Sequence, residues 1–365
     1  MKKLVSGLTA LAMVAGLTAC SGNAAATEAT AVAEVTTAVT TETAAETAAE
    51  DTTAADTTVT KELSGKVVVY CPSPAGLADK IAEAFTARTG VQVEMFQGTT
   101  GEILARLEAE QSNPVADVVI MASWADGLGM IADDQVISYE PVNVDKVYPD
   151  WVDDQKMIYG YSASAVGVIY NTTIFPTLDA DWDALGSDAR YKDQIAVPDP
   201  VKSGSCKDFL SGYVNAFGDD ANKVIDSWVA NGLTMPGANK AALEAVTTGE
   251  KGILIAGVDY NAYSSKDKGE PLDIYYPATG TVINPRPAMI LKTSKNMDNA
   301  KAYMDYLLSD ECQALVGDAY LLPGRSDIQT DKRTNVSDIP VFPIDWAWMM
   351  DHSEEISQKL VDDCK

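Results

Sequence analysis

Four short stretches carry residues able to hold an oxyanion. They are "CPSPAG" with Ser73, "QGTTGE" with Thr99 and Thr100, "ASWADG" with Ser123, and "VKSGSCKDF" with Ser203 and Ser205. Each sets a hydroxyl near glycine or another small residue, just ahead of a run with helical spacing of its apolar residues. A hydroxyl there donates to an anion without adding charge, and small neighbours let the backbone approach. The start of a helix adds free N–H groups and about half a positive charge. Read singly, each Ser or Thr is an ordinary helix N-cap. Four such loops together read as a site for a small anion.

The chemistry expected there is binding, not turnover. The single histidine, His352, stands far along the chain in "MMDHSEE". A serine nucleophile needs a base, and the sequence has no G-x-S-x-G elbow, no zinc-ligand spacing and no Walker A loop. The reading is a protein that is not an enzyme, with no cofactor and no metal site.

The elements that must position these loops alternate strand and helix. "KVVVYC" is a β-rich run, and "GLADKIAEAFTARTG" puts Leu77, Ile81, Ala84 and Phe85 on one helical face before Gly90 stops it. "VQVEMF" alternates as a strand, "GEILARLEAEQ" is helical, and "ADVVIMAS" is a buried strand. A second series runs through "ASAVGVIYN", "IAVPDP", "CKDFLSGYVNAFG", "NKVIDSWVANG", "KAALEAVTTGE" and "GILIAGV". "PAMILKTS" and "DNAKAYMDYLLSDECQALV" then look like a return to the first series. Such βαβ order implies parallel strands covered by helices, with ligands beyond the carboxyl ends of the strands. The hydroxyl loops fall at those ends.

Ahead of this region the chain reads as an address. Lys2 and Lys3, an apolar stretch to Leu17 and the box "LTAC" form a lipoprotein signal peptide, with Cys20 as the residue to be lipidated. Residues 21 to about 61 are Ala, Thr, Glu and Asp almost throughout, too poor in apolar bulk to offset their ordering entropy. As a coil of that length the segment spans roughly 35 Å, a tether from a membrane. The net charge of −26 argues against nucleic acid, which is held by clustered Lys and Arg. A small anion is not excluded, because at a Debye length of about 8 Å local donors outweigh the distant field. Apart from Cys20, the cysteines are Cys71, Cys206, Cys312 and Cys364, whose pairing the sequence leaves open.

The lipobox, "GKVVVYCPSPAGLADKIAEAFTARTGVQVEMFQGTTGEILARLEAEQSNPVADVVI", "VPDPVKSGS", "AGVDY", "YYPATGTVINPRPAMILKTSKNMDNAKAYMDYLLSDECQALV" and "YLLPGRSD" together resemble the class 2 solute-binding lipoproteins of ABC importers. The similarity is to the ferric-iron-binding-like group, with its hexose-phosphate and phosphonate members, and covers Gly65 to about Asp327. It implies a two-lobed α/β fold of periplasmic-binding-protein type 2, each lobe a mostly parallel sheet flanked by helices, with a hinge between them. The segments expected are a signal peptide (1–19), lipidated Cys20 and tether (20–62), lobe 1 (63–160), lobe 2 (161–280), a return to lobe 1 (281–330) and a helical tail (331–365).

In the ferric-binding members iron is held by a His in the first loop, a Glu after the third strand and adjacent tyrosines. Here those places fall near Pro74, near Ala122 and at Asp259–Tyr260, so the set is incomplete. The "YY" at Tyr275–Tyr276 reads as a strand with one ring in the core and one exposed. Iron is the alternative, and a phosphorylated sugar or similar phosphate or phosphonate ester is the ligand the resemblance implies. Ser73, Thr99, Thr100, Ser123, Ser162, Ser164, Ser203 and Ser205 would form a cage of neutral donors, Asp259 and Tyr260 would meet sugar hydroxyls, and Arg286 in "INPRPAM" either forks onto the anion or makes a surface or inter-lobe salt bridge. Trp124 is either a stacking surface or a core residue. The expected partners are the small anionic solute, an ABC permease with its ATPase, and the membrane through a lipid anchor. The protein would act as a monomer, lipid-anchored on the extracellular face of the cell membrane in a Gram-positive placement, or in the periplasm of a Gram-negative cell. Presenting a ligand to a membrane sensor kinase is a second use of the same fold.

Overall fold

The computed structural model describes residues 63–365. The expected signal peptide, Cys20 and tether lie outside the described residues. The chain opens with three strand–helix units: β1 (Lys66–Cys71), α1 (Ala75–Thr89), β2 (Gln92–Gln97), α2 (Thr100–Ala109), β3 (Val118–Ile120) and α3 (Trp124–Ala132). Gly90 ends α1 as read from the sequence: at φ 75° it adopts the left-handed conformation and returns its N–H to Thr86 O.

The long strand β4 (Tyr159–Asn171) follows, buried along its whole length. Then come α4 (Trp182–Ser187), β5 (Ile195–Pro198), α5 (Gly204–Phe217), α6 (Asp219–Ala230), β6 (Thr234–Gly237), α7 (Asn239–Thr247), β7 (Ile253–Val258), α8 (Asp259–Asp267) and β8 (Leu272–Tyr275). The chain returns through β9 (Ile283–Ile290), α9 (Met297–Leu307), α10 (Asp310–Asp318) and β10 (Leu322–Pro323), and closes with α11 (Trp346–Asp363).

The strands order as β2-β1-β3-β9-β4-β7-β5-β6, with β8 and β10 also paired to β4. The outer pairs, β1 with β2 and β3, and β5 with β6 and β7, are parallel, as strand–helix alternation requires. The centre is antiparallel, because β4 and β9 carry the chain out of the first lobe and back. The first half of β4 pairs with β9, Ser162 facing Arg286 and Ser164 facing Asn284, and its second half pairs with β7 and β8. One strand thus belongs to both lobes and makes a natural hinge.

Both faces of each lobe's sheet are covered, and alternation assigns the residues. In the first lobe Val67, Val69 and Ile120 pack with Phe85, Tyr303 and Leu307, while Val68, Tyr70 and Val119 turn to Ile103, Trp124 and Met130. In the second, Val168, Ile195 and Ile255 face Phe209 and Trp228, and Ile169, Ala196 and Leu254 face Ala242 and Leu272. Each fully buried Val, Leu or Ile contributes about 1.5–3 kcal/mol. The indole N–H groups of Trp182 and Trp228 are satisfied by Gly280 O at 2.8 Å and Trp182 O at 2.7 Å. In the closing segment, α11 packs on α3 of one lobe and α5 of the other. Among the described residues no helix is long and apolar enough to cross a membrane, and Cys71, Cys206, Cys312 and Cys364 are free thiols.

Candidate functional site

The carboxyl ends of the strands from both lobes meet at a cavity of about 300 Å³. The lobes approach closely around it. A Cβ on Gly101 would fall 2.6 Å from Val201 O, and one on Gly204 would meet Ala122, Ser123 and Thr100 at 3.0 Å. Glycine at these two positions lets the first turn of α2 and the loop after β3 lie close against the start of α5.

The walls are helix N-termini. Thr99, Thr100 and Gly98 come from the start of α2, Ser203 and Gly204 from α5, Ala238, Asn239 and Lys240 from α7, and Tyr260 and Asn261 from α8. Helix starts present unpaired N–H groups and a partial positive charge. Lys240 and Arg286 add positive charge to the lining, as does Lys202, which is paired with Asp199 at 2.9 Å just outside it, and the lining includes no Asp or Glu. In a chain of net charge −26 that is a local reversal of sign.

The sequence-derived hydroxyls divide into two groups. Most serve the fold, as N-cap propensity anticipates. Thr99 closes a capping box with Glu102, its N–H donating to Oε2 at 2.7 Å and its hydroxyl accepting from the Glu102 N–H at 3.2 Å. Thr100 Oγ1 accepts from the Ala122 N–H, bracing α2 against the loop after β3. Ser203 caps α5 and donates to Asn239 Oδ1 at 2.9 Å, with Ser205 Oγ 3.2 Å away. Ser73 shares a hydrogen bond of 2.6 Å with the Tyr161 hydroxyl.

Ser123 caps α3 and donates across the lobes to Asp208 Oδ1 at 2.6 Å, while the Trp124 N–H reaches Asp208 Oδ2 at 2.9 Å. Burial, reinforced by Asp126, pushes the Asp208 carboxyl up to about 8. Trp124 is a core residue, packed with Ile103 and Met130.

Ser162 and Ser164 differ. Both are fully buried, as period-two alternation from the same strand face implies, and neither hydroxyl has a partner. Across the pairing, Asn284 Oδ1 and Arg286 Nε are also buried without partners. Arg286 is 1 % exposed, gives a hydrogen bond to Pro72 O at 3.0 Å, stands 6.0 Å from the Tyr260 ring and forms no salt bridge among the described residues. A buried guanidinium without a counter-ion, beside three orphaned oxygens, is costly unless something else completes it. Of these four side chains Arg286 reaches the cavity lining, at its floor, while Ser162, Ser164 and Asn284 accompany it on the β4–β9 pairing.

Asp259, expected to meet sugar hydroxyls, is occupied instead. Its Oδ1 accepts from the Tyr260 N–H at 2.7 Å, and its Oδ2 from the Ala165 N–H and the Tyr276 hydroxyl at 3.0 Å and from Arg333 Nη2 at 2.5 Å, so its charge is already paired inside the protein. Tyr260 does line the cavity; burial pushes its phenol up and Arg286 pulls the other way. Tyr275 and Tyr276 do take opposite sides, but neither ring is exposed: Tyr275 donates to Ala180 O at 2.7 Å and Tyr276 to Asp259. Ala122 lines the cavity where the ferric-binding pattern has its glutamate, beside Pro72 of the first loop. One phenol and no carboxylate make a poor donor set for a hard trivalent ion. Among the described residues no three of His, Cys, Asp and Glu gather to hold a metal.

The sequence reading missed Asn284, Lys202, Lys240, Asn239 and Asn261. Asn284 had a signal, standing two residues before Arg286 in a strand and therefore on its face. Lys240 and Asn261 had none short of the tertiary structure.

Comparison with known proteins places the chain. A putative 2-aminoethylphosphonate-binding periplasmic protein of Salmonella typhimurium is 24% identical over 256 residues, covering 67% of this chain and 73% of its own length. Iron uptake protein A1 of Synechocystis sp. is 24% identical over 249 residues, 64% of this chain and 68% of its own. The periplasmic binding protein AfuA from Actinobacillus pleuropneumoniae, solved with exogenous fructose-6-phosphate bound, matches in structure with a TM-score of 0.75 at 21% identity, over 82% of this chain and 98% of that one. That likeness shows the two-lobed periplasmic-binding fold. The family model for the bacterial extracellular solute-binding proteins matches residues 113–352, and the chain belongs to that family.

Proposed function

We propose that the protein captures a small acidic solute, a phosphate monoester such as a sugar phosphate or a related phosphonate, and hands it to an ABC permease. The observation that carries this reading is the cavity's charge: Arg286 and Lys240, with Lys202 paired to Asp199, and four helix N-termini, with no carboxylate in its lining. In this reading Arg286, with Ser162, Ser164 and Asn284 beside it on the β4–β9 pairing, meets the acid group, and the N-termini of α2, α5 and α7 close over it. Each donor to a charged oxygen contributes about 1.5–3 kcal/mol, and micromolar affinity needs only about 8 kcal/mol net. Contacts from both lobes favour the closed state, which is what a permease would dock. The lobes would be residues 63–160 with 281–330, and 161–280, hinged on β4 and β9. A lipid on Cys20 would hold the protein as a monomer on the outer face of the membrane.

Native mass spectrometry of the purified chain with fructose 6-phosphate and with ferric citrate tests this. The expected result is one bound sugar phosphate. A bound ferric ion with a visible tyrosinate colour would contradict it, as would retention of neither.

A further inference from the structure

Asp259 lies next to Tyr260 and Asn261, which line the cavity, yet its charge is cancelled from behind. Both it and Arg333 are 0 % exposed in their side chains. Arg333 belongs to the segment that follows β10, and every arm of its guanidinium is used. Nη2 meets Asp259 Oδ2 and the Tyr276 hydroxyl at 3.2 Å, Nη1 donates to Tyr320 O at 2.9 Å, Nε donates to Thr334 O at 2.9 Å, and the group lies over the Tyr263 ring. Of the acids beside lining residues, Asp199 is held by Lys202 at 2.9 Å and Glu102 accepts from the Thr99 N–H at 2.7 Å in its capping box. A ligand ammonium entering this cavity would find Arg286 and Lys240 and no carboxylate to receive it. Like charges in a poorly solvated site repel strongly, and an unpaired ammonium there loses its hydration without return.

We propose that Arg333 is a specificity-determining residue: by neutralising Asp259 it keeps the cavity wholly cationic, so the protein takes acidic ligands that lack an amino group and rejects those that carry one. The proposal rests on the reading of the cavity as an anion site and sharpens it. Arg333 touches no ligand in this account; it acts through the charge of Asp259. Releasing that charge should admit an ammonium, and leaving Arg333 unbalanced should exclude it further. The two single substitutions therefore move selectivity in opposite directions, which loss of structure alone would not do.

The test is calorimetric titration of the purified chain with two ligand pairs differing by one amino group: ethylphosphonate against 2-aminoethylphosphonate, and glucose 6-phosphate against glucosamine 6-phosphate. The wild type should favour the amino-free member by about tenfold or more. Arg333→Met should shrink or invert that ratio, and Asp259→Asn should widen it. A wild type that binds the amino compound equally or better overturns the proposal while leaving the anion reading intact. Folded single variants with an unchanged ratio, or with both members of a pair weakened in proportion, also overturn it. If neither single variant folds, the double variant Asp259→Asn/Arg333→Met removes both charges and should keep the wild-type ratio; an altered ratio there counts against the proposal. Failure of the wild type to bind any of the four compounds removes the anion reading, and this proposal with it.

Discussion

Two buried arginines stand near the hinge and live in opposite circumstances. Arg333 is paired with a buried carboxylate and has a protein acceptor for each of its nitrogens. Arg286 is as deeply buried, has one carbonyl for a partner and an orphaned Nε, and faces Ser162, Ser164 and Asn284, which are orphaned too. A fold that needed Arg286 only for stability would have supplied a counter-ion, as it does for Arg333. In the proposed reading, the difference separates the part of the molecule completed by its own chain from the part left to be completed by a ligand.

The largest expected effect breaks this comparison at Arg286. Arg286→Met should weaken fructose 6-phosphate binding by about a hundredfold or more, the loss of a buried charge-assisted contact worth about 2–5 kcal/mol. The same change should leave the ligand-free thermal midpoint unchanged or higher, since it removes an unpaired buried charge. Titration calorimetry and thermal melting read the two halves of this outcome, and a lower midpoint with binding retained would reverse the assignment.

A second, intermediate effect lies at Asp208, the inter-lobe carboxyl pushed up to about 8 by burial and by Asp126. Because its folded value lies above the ordinary value of about 3.9, the folded state holds the proton more tightly. Its contribution is therefore complete below about pH 4 and is lost as pH rises towards 8. Melting curves across that range should show a falling midpoint that Asp208→Asn flattens, and an unchanged slope would remove Asp208 as its source.

The smallest effect is at the rim. Lys240 is exposed and has no hydrogen-bond or ion-pair partner among the described residues. Lys240→Gln should cost about two- to fivefold in affinity at low salt and nothing near 1 M salt, where screening removes its field. A salt-independent loss would mean a direct contact instead.

Much of this was legible in the sequence. Strand–helix alternation placed the hydroxyl loops at the strand ends, and the period of two put Ser162 and Ser164 on one face of β4. The identity of the working hydroxyls was not legible. Thr99, Ser123 and Ser203 look like Ser162 in composition, but local backbone N–H groups claim them as caps, while Ser162 sits mid-strand with nothing local to bond. The pairing of Asp259 was hidden for a related reason. Its counter-ion lies 74 residues away, in a segment the family resemblance did not reach. Long-range pairing of charge is what a single sequence hides best, and here it decides which carboxylate a ligand can meet.

The central claim is tested most directly by a crystal structure of the protein grown with fructose 6-phosphate. The account predicts the phosphate seated on the cleft floor, with oxygens within hydrogen-bond distance of Arg286 Nε and of the Ser162 and Ser164 hydroxyls. A sugar phosphate bound elsewhere, or a metal ion on Tyr260 with the floor still unpartnered, would contradict it.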